Sequence, residues 1–176
     1  MPLPHHADRP QHYLKPGEIY CTERPVVVTT VLGSCVSVTF YHRASGLAAI
    51  CHVLQPQCPR STGCTTGCEA MGRYATCAID AMGRWMADCG VRPGQVEVKL
   101  FGGAAMMGRG NRRIQPPSVG RLNVQAALSS LQRLAFRLKV ADVGGATGRK
   151  ILFDTASGEV WLKRLIPAMV ADTIEA

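Results

Sequence analysis

Cys35 closes the stretch Thr29-Thr30-Val31-Leu32-Gly33-Ser34-Cys35, and His52 follows in the apolar segment Ala48-Ala49-Ile50-Cys51-His52-Val53. A thiol on a glycine-containing turn, with an imidazole on a neighbouring strand, makes a nucleophile and its base. Sulfur attacks as the thiolate, and imidazole can take the proton that stands in the way. The pair needs closeness in the fold, not in the sequence. Gly33 permits a tight turn, and the successive amides of Gly33, Ser34 and Cys35 could converge on the oxyanion of a tetrahedral intermediate. No Asp or Glu lies between Pro25 and Pro56, so a hydroxyl, from Thr29 or Thr30, is the simplest group to orient the imidazole. Strand alternation sends those two side chains to opposite faces, and only one of them can serve. The competing readings are a buried small hydrophobe for Cys35 and a satisfied core imidazole for His52.

The elements that must position these groups follow from the pattern. Pro25 to Leu32 is β-branched and predicts a buried strand. Val36 to Phe40 alternates apolar and polar residues, as a half-buried strand does. Leu47 to Leu54 predicts a third strand. Thr66-Gly67-Cys68-Glu69 fits a capping box ahead of a helical stripe from Met71 through Met82 to Cys89, closed by Gly90. That stripe of Met and Trp suits a helix-to-sheet core better than a cofactor box. Val96 to Phe101 predicts a strand running into Gly102-Gly103-Ala104. A second amphipathic helix carries Val124, Leu128, Leu131 and Ala135, with Asn123 as its expected N-cap. Leu138 to Val143 predicts a strand, and Lys150–Asp154 with Glu159–Leu165 a closing hairpin. Two main helices and about seven short strands of mixed order predict an α/β (α+β) layered fold in one domain. Residues 1–15 are expected to form a flexible leader, 16–166 the domain and 167–176 a tail.

The chain has 176 residues, 47% of them hydrophobic, which is enough for a real core and unlike a disordered chain. No apolar run is long enough to span a bilayer, and residues 1–15 have no apolar core of a signal peptide. A cytoplasmic protein with no membrane insertion is therefore expected. The net charge is +8, and the densest basic stretch is Arg109-Gly110-Asn111-Arg112-Arg113. Without interleaved aromatics that stretch is no stacking platform for nucleic acid. A solvated loop or a dock for an acidic protein partner fits better. Eight cysteines in a chain of this length without a signal argue for reduced thiols, not a disulfide scaffold. Cys58, Cys64, Cys68 and Cys77 could form a zinc site, but the paired Cys-x2-Cys signature is missing, and ordinary thiols are the simpler reading. No metal and no cofactor is expected.

Taken in order, TTVLGSC at 29–35, the VSVTFY strand, Ala49-Ile50-Cys51-His52-Val53-Leu54-Gln55-Pro56, Arg73-Tyr74-Ala75, Lys99-Leu100-Phe101-Gly102-Gly103-Ala104-Ala105-Met106, Val119-Gly120-Arg121-Leu122-Asn123-Val124 and Asp142-Val143-Gly144-Gly145 resemble the CheD family of chemoreceptor glutamine deamidases. The resemblance spans about residues 16 to 166. It implies an α-β-β sandwich and a cysteine hydrolase that turns glutamine side chains of methyl-accepting chemotaxis receptors into glutamate, releasing ammonia through a thioester. On that basis Cys35 takes the nucleophile's place, His52 the base's and Thr29 that of the orienting third member. Gly102 and Gly103 fall beside the site, and the phosphatase CheC is an implied regulatory partner. The chain departs from the family in having Thr76 where an acidic residue is usual, and in its cysteine-rich loop. A receptor methylesterase, another cysteine hydrolase or a non-catalytic binding module are the alternatives.

Overall fold

The computed structural model describes residues 9–59, 70–105 and 117–165. Nine strands run in chain order with two α-helices: β1 (Gln11–Tyr13), β2 (Ile19–Thr22), β3 (Val27–Leu32), β4 (Val36–His42), β5 (Leu47–Val53), α1 (Ala75–Asp88), β6 (Glu97–Gly102), α2 (Val119–Arg133), β7 (Leu138–Val143), β8 (Arg149–Asp154) and β9 (Val160–Arg164). They form a four-stranded sheet ordered β1-β3-β8-β9 and a five-stranded sheet ordered β2-β5-β4-β6-β7. Each sheet holds one parallel pair, β1–β3 and β6–β7, among antiparallel ones.

Alternation along the strands explains the layers. On β4, Val36, Val38 and Phe40 point to one face, where they pack with Ala78, Ile79, Met82 and Met86 of α1 and Ala126, Ala127 and Leu131 of α2. The opposite face of the same sheet meets the four-stranded sheet through Val28, Leu32, Tyr41, Ile50, Phe101, Ile151 and Phe153. The order is therefore helices, five-stranded sheet, four-stranded sheet: the α+β sandwich with two main helices. The Met stripe of α1 is core, as its spacing predicts.

The structure corrects the expected start of the domain. Gln11–Tyr13, assigned above to a flexible leader, is a strand paired with β3, and Leu14 is fully buried. Arg9 forms an ion pair with Asp154. A three-residue parallel strand has too little periodicity to stand out in a sequence. Ile19–Thr22 was missed for the same reason. The expected N-cap of the second helix also moves. Ser118 caps α2, its hydroxyl accepting from the Arg121 amide at 3.3 Å, while Asn123 lies a turn further in and is fully buried. The α1 helix starts at Ala75 behind a short 3-10 turn, and the capping box at 66–69 lies outside the described residues.

Candidate active site

The turn Gly33-Ser34-Cys35 is where the chain leaves one sheet and enters the other, since β3 and β4 belong to different sheets. All three of its carbonyls are held. Gly33 O accepts from the Ala104 amide and Cys35 O from the Gly103 amide, both at 2.8 Å. Ser34 O accepts from the Asn123 carboxamide at 3.0 Å. The same Asn123 nitrogen donates to Leu54 O at 3.0 Å, which ties the turn to the end of β5. Gly102 explains how β6 comes so close: a Cβ there would sit 2.2 Å from Cys35 O, and its φ of +108° suits glycine alone. The Asp142-Val143-Gly144-Gly145 motif supports this arrangement from behind. The Gly144 amide donates to Gly102 O, and the Ala105 amide to Gly145 O, both at 2.8 Å. The fully buried Arg149 reaches Gly144 O at 2.8 Å and Asp142 at 3.0 Å.

His52 sits between the sheets. Its Nδ1 is 2.7 Å from Thr30 Oγ1, and Thr30 Oγ1 in turn donates to Leu14 O at 2.9 Å. A hydroxyl has one proton, and a carbonyl can only accept. Thr30 therefore spends its proton on Leu14 and accepts from Nδ1–H. The neutral ring then carries its lone pair on Nε2, the nitrogen a base needs. Nε2 is buried with no hydrogen-bond partner among the described residues. The backbone of His52 is clamped as well, its carbonyl by the Gly17 amide at 2.7 Å and its amide by Glu18 O at 3.0 Å. Burial pushes the imidazole below its ordinary pKa, partly offset by Leu14 O and the Glu18 carboxylate.

Of the two threonines, Thr30 meets the imidazole. Thr29, which the family resemblance singles out, lies on the other face of β3, half-buried, and its carbonyl accepts from the Leu14 amide at 2.9 Å. The pleat accounts for this contact: Val28, Thr30 and Leu32 share the inter-sheet face.

Cys35 packs against the same inter-sheet cluster and is half-buried. Burial raises its thiol above the ordinary value, with its own backbone amide pulling the other way. Burial thus works against the charged form of both groups. The neighbouring Cys51 is different. It points to the helical side, gives its proton to Val38 O at 3.9 Å, and is pushed up to about 12.

Sequence reasoning brought Cys35, His52, Gly33, Ser34, Gly102 and Gly103 into one neighbourhood. It missed Asn123 as a brace, and Leu14, Gly17 and Glu18 as the clamp on His52. Those last three act through backbone groups, which leave no residue-type signal. Cys58 is half-buried and Cys77 buried, while Cys64 and Cys68 lie outside the described residues. Among the described residues no three His, Cys, Asp or Glu are grouped to hold a metal, and no helix is long and apolar enough to cross a membrane.

Comparison with known proteins agrees with the motif order. The family model described as CheD chemotactic sensory transduction matches residues 59–164. A Geobacter sulfurreducens protein named "Probable chemoreceptor glutamine deamidase CheD 2" is 45% identical over 160 residues, covering 91% of this chain and 93% of that protein. The chain belongs to the CheD family. A second CheD, the "Probable chemoreceptor glutamine deamidase CheD" of Maridesulfovibrio salexigens, is 37% identical and covers 87% of this chain and 91% of its own length. The match to the family model begins beyond Cys35 and His52, whereas the full-length CheD relatives cover most of the chain.

Proposed function

We propose that this CheD-family chain deamidates glutamine side chains of chemoreceptors, with Cys35 as nucleophile, His52 as base and Thr30 as the hydroxyl that orients it. The observation that carries the reading is the relay Leu14 O, Thr30 Oγ1, His52 Nδ1, which leaves the lone pair on Nε2 of a residue that the β4–β5 register sets diagonally across from Cys35. Nε2 takes the thiol proton as sulfur adds to the glutamine carbonyl carbon. The carbonyl oxygen becomes an oxyanion, for which the amides of the Gly33-Ser34-Cys35 turn are the proposed donors. Imidazolium returns the proton to nitrogen, ammonia departs, and a thioester remains on Cys35. Water then cleaves it to glutamate and the free thiol. A half-buried thiol suits a side chain presented by another protein's surface. Buried groups in fixed positions cost no reorganisation when charge develops.

The test is mass spectrometry of a receptor cytoplasmic fragment before and after incubation with the protein. The expected result is the amide-to-acid mass gain at defined glutamines with ammonia released in equal amount. Loss of a methyl ester with glutamines untouched would make the protein a methylesterase. An unchanged fragment, with Cys35 inert to electrophiles, would make it a binding module.

A further inference from the structure

We propose that Ser37 is a positioning residue for the second half of the reaction: its hydroxyl and His52 Nε2 together hold the water that hydrolyses the Cys35 thioester. The proposal rests on the reading of Cys35 as nucleophile.

Ser37 stands directly opposite His52 in the β4–β5 register. Directly opposed residues of an antiparallel pair have Cβ atoms about 4.5–5.5 Å apart, close enough for one water to bridge their polar tips. The alternation of Val36-Ser37-Val38 predicts a solvent-facing serine, yet Ser37 is 0% exposed and His52 2%. Ser37 Oγ and His52 Nε2 are both buried without a hydrogen-bond partner among the described residues. Buried polar groups are rarely left so, and two on one face across one strand pair call for a shared partner. That partner must satisfy an imidazole acceptor and a hydroxyl. A water that donates one proton to Nε2 and the other to Ser37 Oγ does so, and keeps its lone pairs for an electrophile. Cys35 lies two residues before Ser37, on the same inter-sheet face, so an acyl group on its sulfur is the electrophile at hand.

The step balances without a co-reactant. The water oxygen bonds to the thioester carbon, and its proton passes to Nε2. The tetrahedral intermediate collapses with cleavage of the C–S bond, and the thiolate recovers the proton from the imidazolium. Thiol attack does not need Ser37, because Thr30 alone fixes the ring.

Rapid-quench mass spectrometry of the full chain with a receptor fragment separates the two halves. Ser37→Ala should release the first ammonia within about twofold of the parent rate, then lose at least about tenfold in thioester hydrolysis. The Cys35 thioester should accumulate, and hydroxylamine, which brings its own nucleophile, should discharge it. Ser37→Thr, which keeps the hydroxyl, should restore hydrolysis. The melting temperature of Ser37→Ala should not fall, since the hydroxyl has no protein partner to lose. Should that variant fail to fold, Ser37→Cys, close in shape but a weak hydrogen-bonding group, should show the same selective loss. Hydrolysis at the parent rate, or equal loss in both halves, overturns the proposal. If Cys35→Ala still turns over, the nucleophile reading falls first. If Cys35→Ala is dead while Ser37→Ala hydrolyses normally, only the role of Ser37 falls.

Discussion

The two faces of the five-stranded sheet are built from alternate residues of the same strands, yet they differ in kind. The helical face is mostly apolar, a packing of Val, Phe, Ala and Met with Asn123 and Ser130 of α2 as its buried polar groups. The inter-sheet face holds Thr30, Ser37, Thr39, His52 and Arg149, each almost wholly buried. Burying a hydroxyl or imidazole costs free energy unless it is paired, so an apolar filling would be more stable there. One residue's step along β5 separates the buried thiol of Cys51 from the imidazole of His52. One step along β3 separates Thr29 from Thr30, whose hydroxyl meets that imidazole. On the proposed assignment, chemistry is confined to one face, and stability rests largely on the other.

The strongest way to break this contrast is to exchange the roles of the two cysteines. Cys35→Ala should lower deamidation of a receptor fragment by at least ~10³-fold with little loss of stability. Cys51→Ala should keep activity within about threefold and lower stability by about 1–2 kcal/mol in denaturant melts, as a small buried group does. Activity surviving in Cys35→Ala would place the nucleophile elsewhere.

Next come the imidazole and its hydroxyl. His52→Ala should cost about 10²–10⁴-fold in kcat, the usual worth of a positioned base. Thr30→Val leaves the imidazole N–H and Leu14 O unpaired in a buried place, a loss of about 1–3 kcal/mol, or about 5- to 150-fold in rate. Thr29→Val should stay within about twofold of the parent. The reverse order for the two threonines would restore the family-based assignment.

The pH profile sharpens the comparison. His52 must be neutral to act, and burial lowers its pKa, so the acid limb of kcat/KM should fall below the ordinary ~6.5. Cys35 is raised, so its labelling by iodoacetamide should climb steadily through neutral pH without a plateau. A plateau at neutral pH would mean a resting ion pair. The same shift has a sign for stability. The unfolded chain takes up the imidazole proton at the ordinary value and the folded chain only at lower pH. Stability from the buried neutral ring is therefore present above ~6.5 and lost as pH falls through the folded value. His52→Gln should flatten that part of the pH dependence of unfolding.

The smallest effect concerns the basic stretch at 109–113, which lies outside the described residues. Reversing Arg109, Arg112 and Arg113 to Glu should lower kcat/KM for an intact receptor a few-fold at low ionic strength. Exposed charges steer encounter and are screened over ~8 Å at physiological salt, so added salt should erase the difference. Labelling of Cys35 by a neutral electrophile should not change. An unaltered kcat/KM would leave those charges without a part in encounter.

Much of the scaffold was legible because it is periodic. Seven of the strands, both helices and the apolar Met stripe follow from spacing alone, and the ordered motifs name the family. The rest was hidden for physical reasons. The strands Gln11–Tyr13 and Ile19–Thr22 are too short to show a period. The clamp on His52 is made by backbone atoms of Gly17 and Glu18, with Leu14 O holding Thr30, and Gly17 serves at a φ of +85° that favours glycine. Asn123 looks like a cap in sequence and acts as a brace, because its partners, Ser34 O and Leu54 O, are distant along the chain. The choice between Thr29 and Thr30 depends on which face of β3 meets the second sheet, a fact of docking and not of local pattern.

The nucleophile's turn is also the seam between the two sheets, and that has a consequence for how the protein becomes an enzyme. On the proposed roles, neither sheet alone contains a working pair: His52 stands on one, Thr30 on the other, and Cys35 on the strap between them. Competence should arrive only with the last docking event of folding, after either sheet has formed. A nascent or partly unfolded chain would carry a thiol but no aligned base, and would leave bystander proteins unmodified. During refolding, recovery of deamidase activity should lag behind recovery of β-sheet circular dichroism, making turnover a late reporter of assembly.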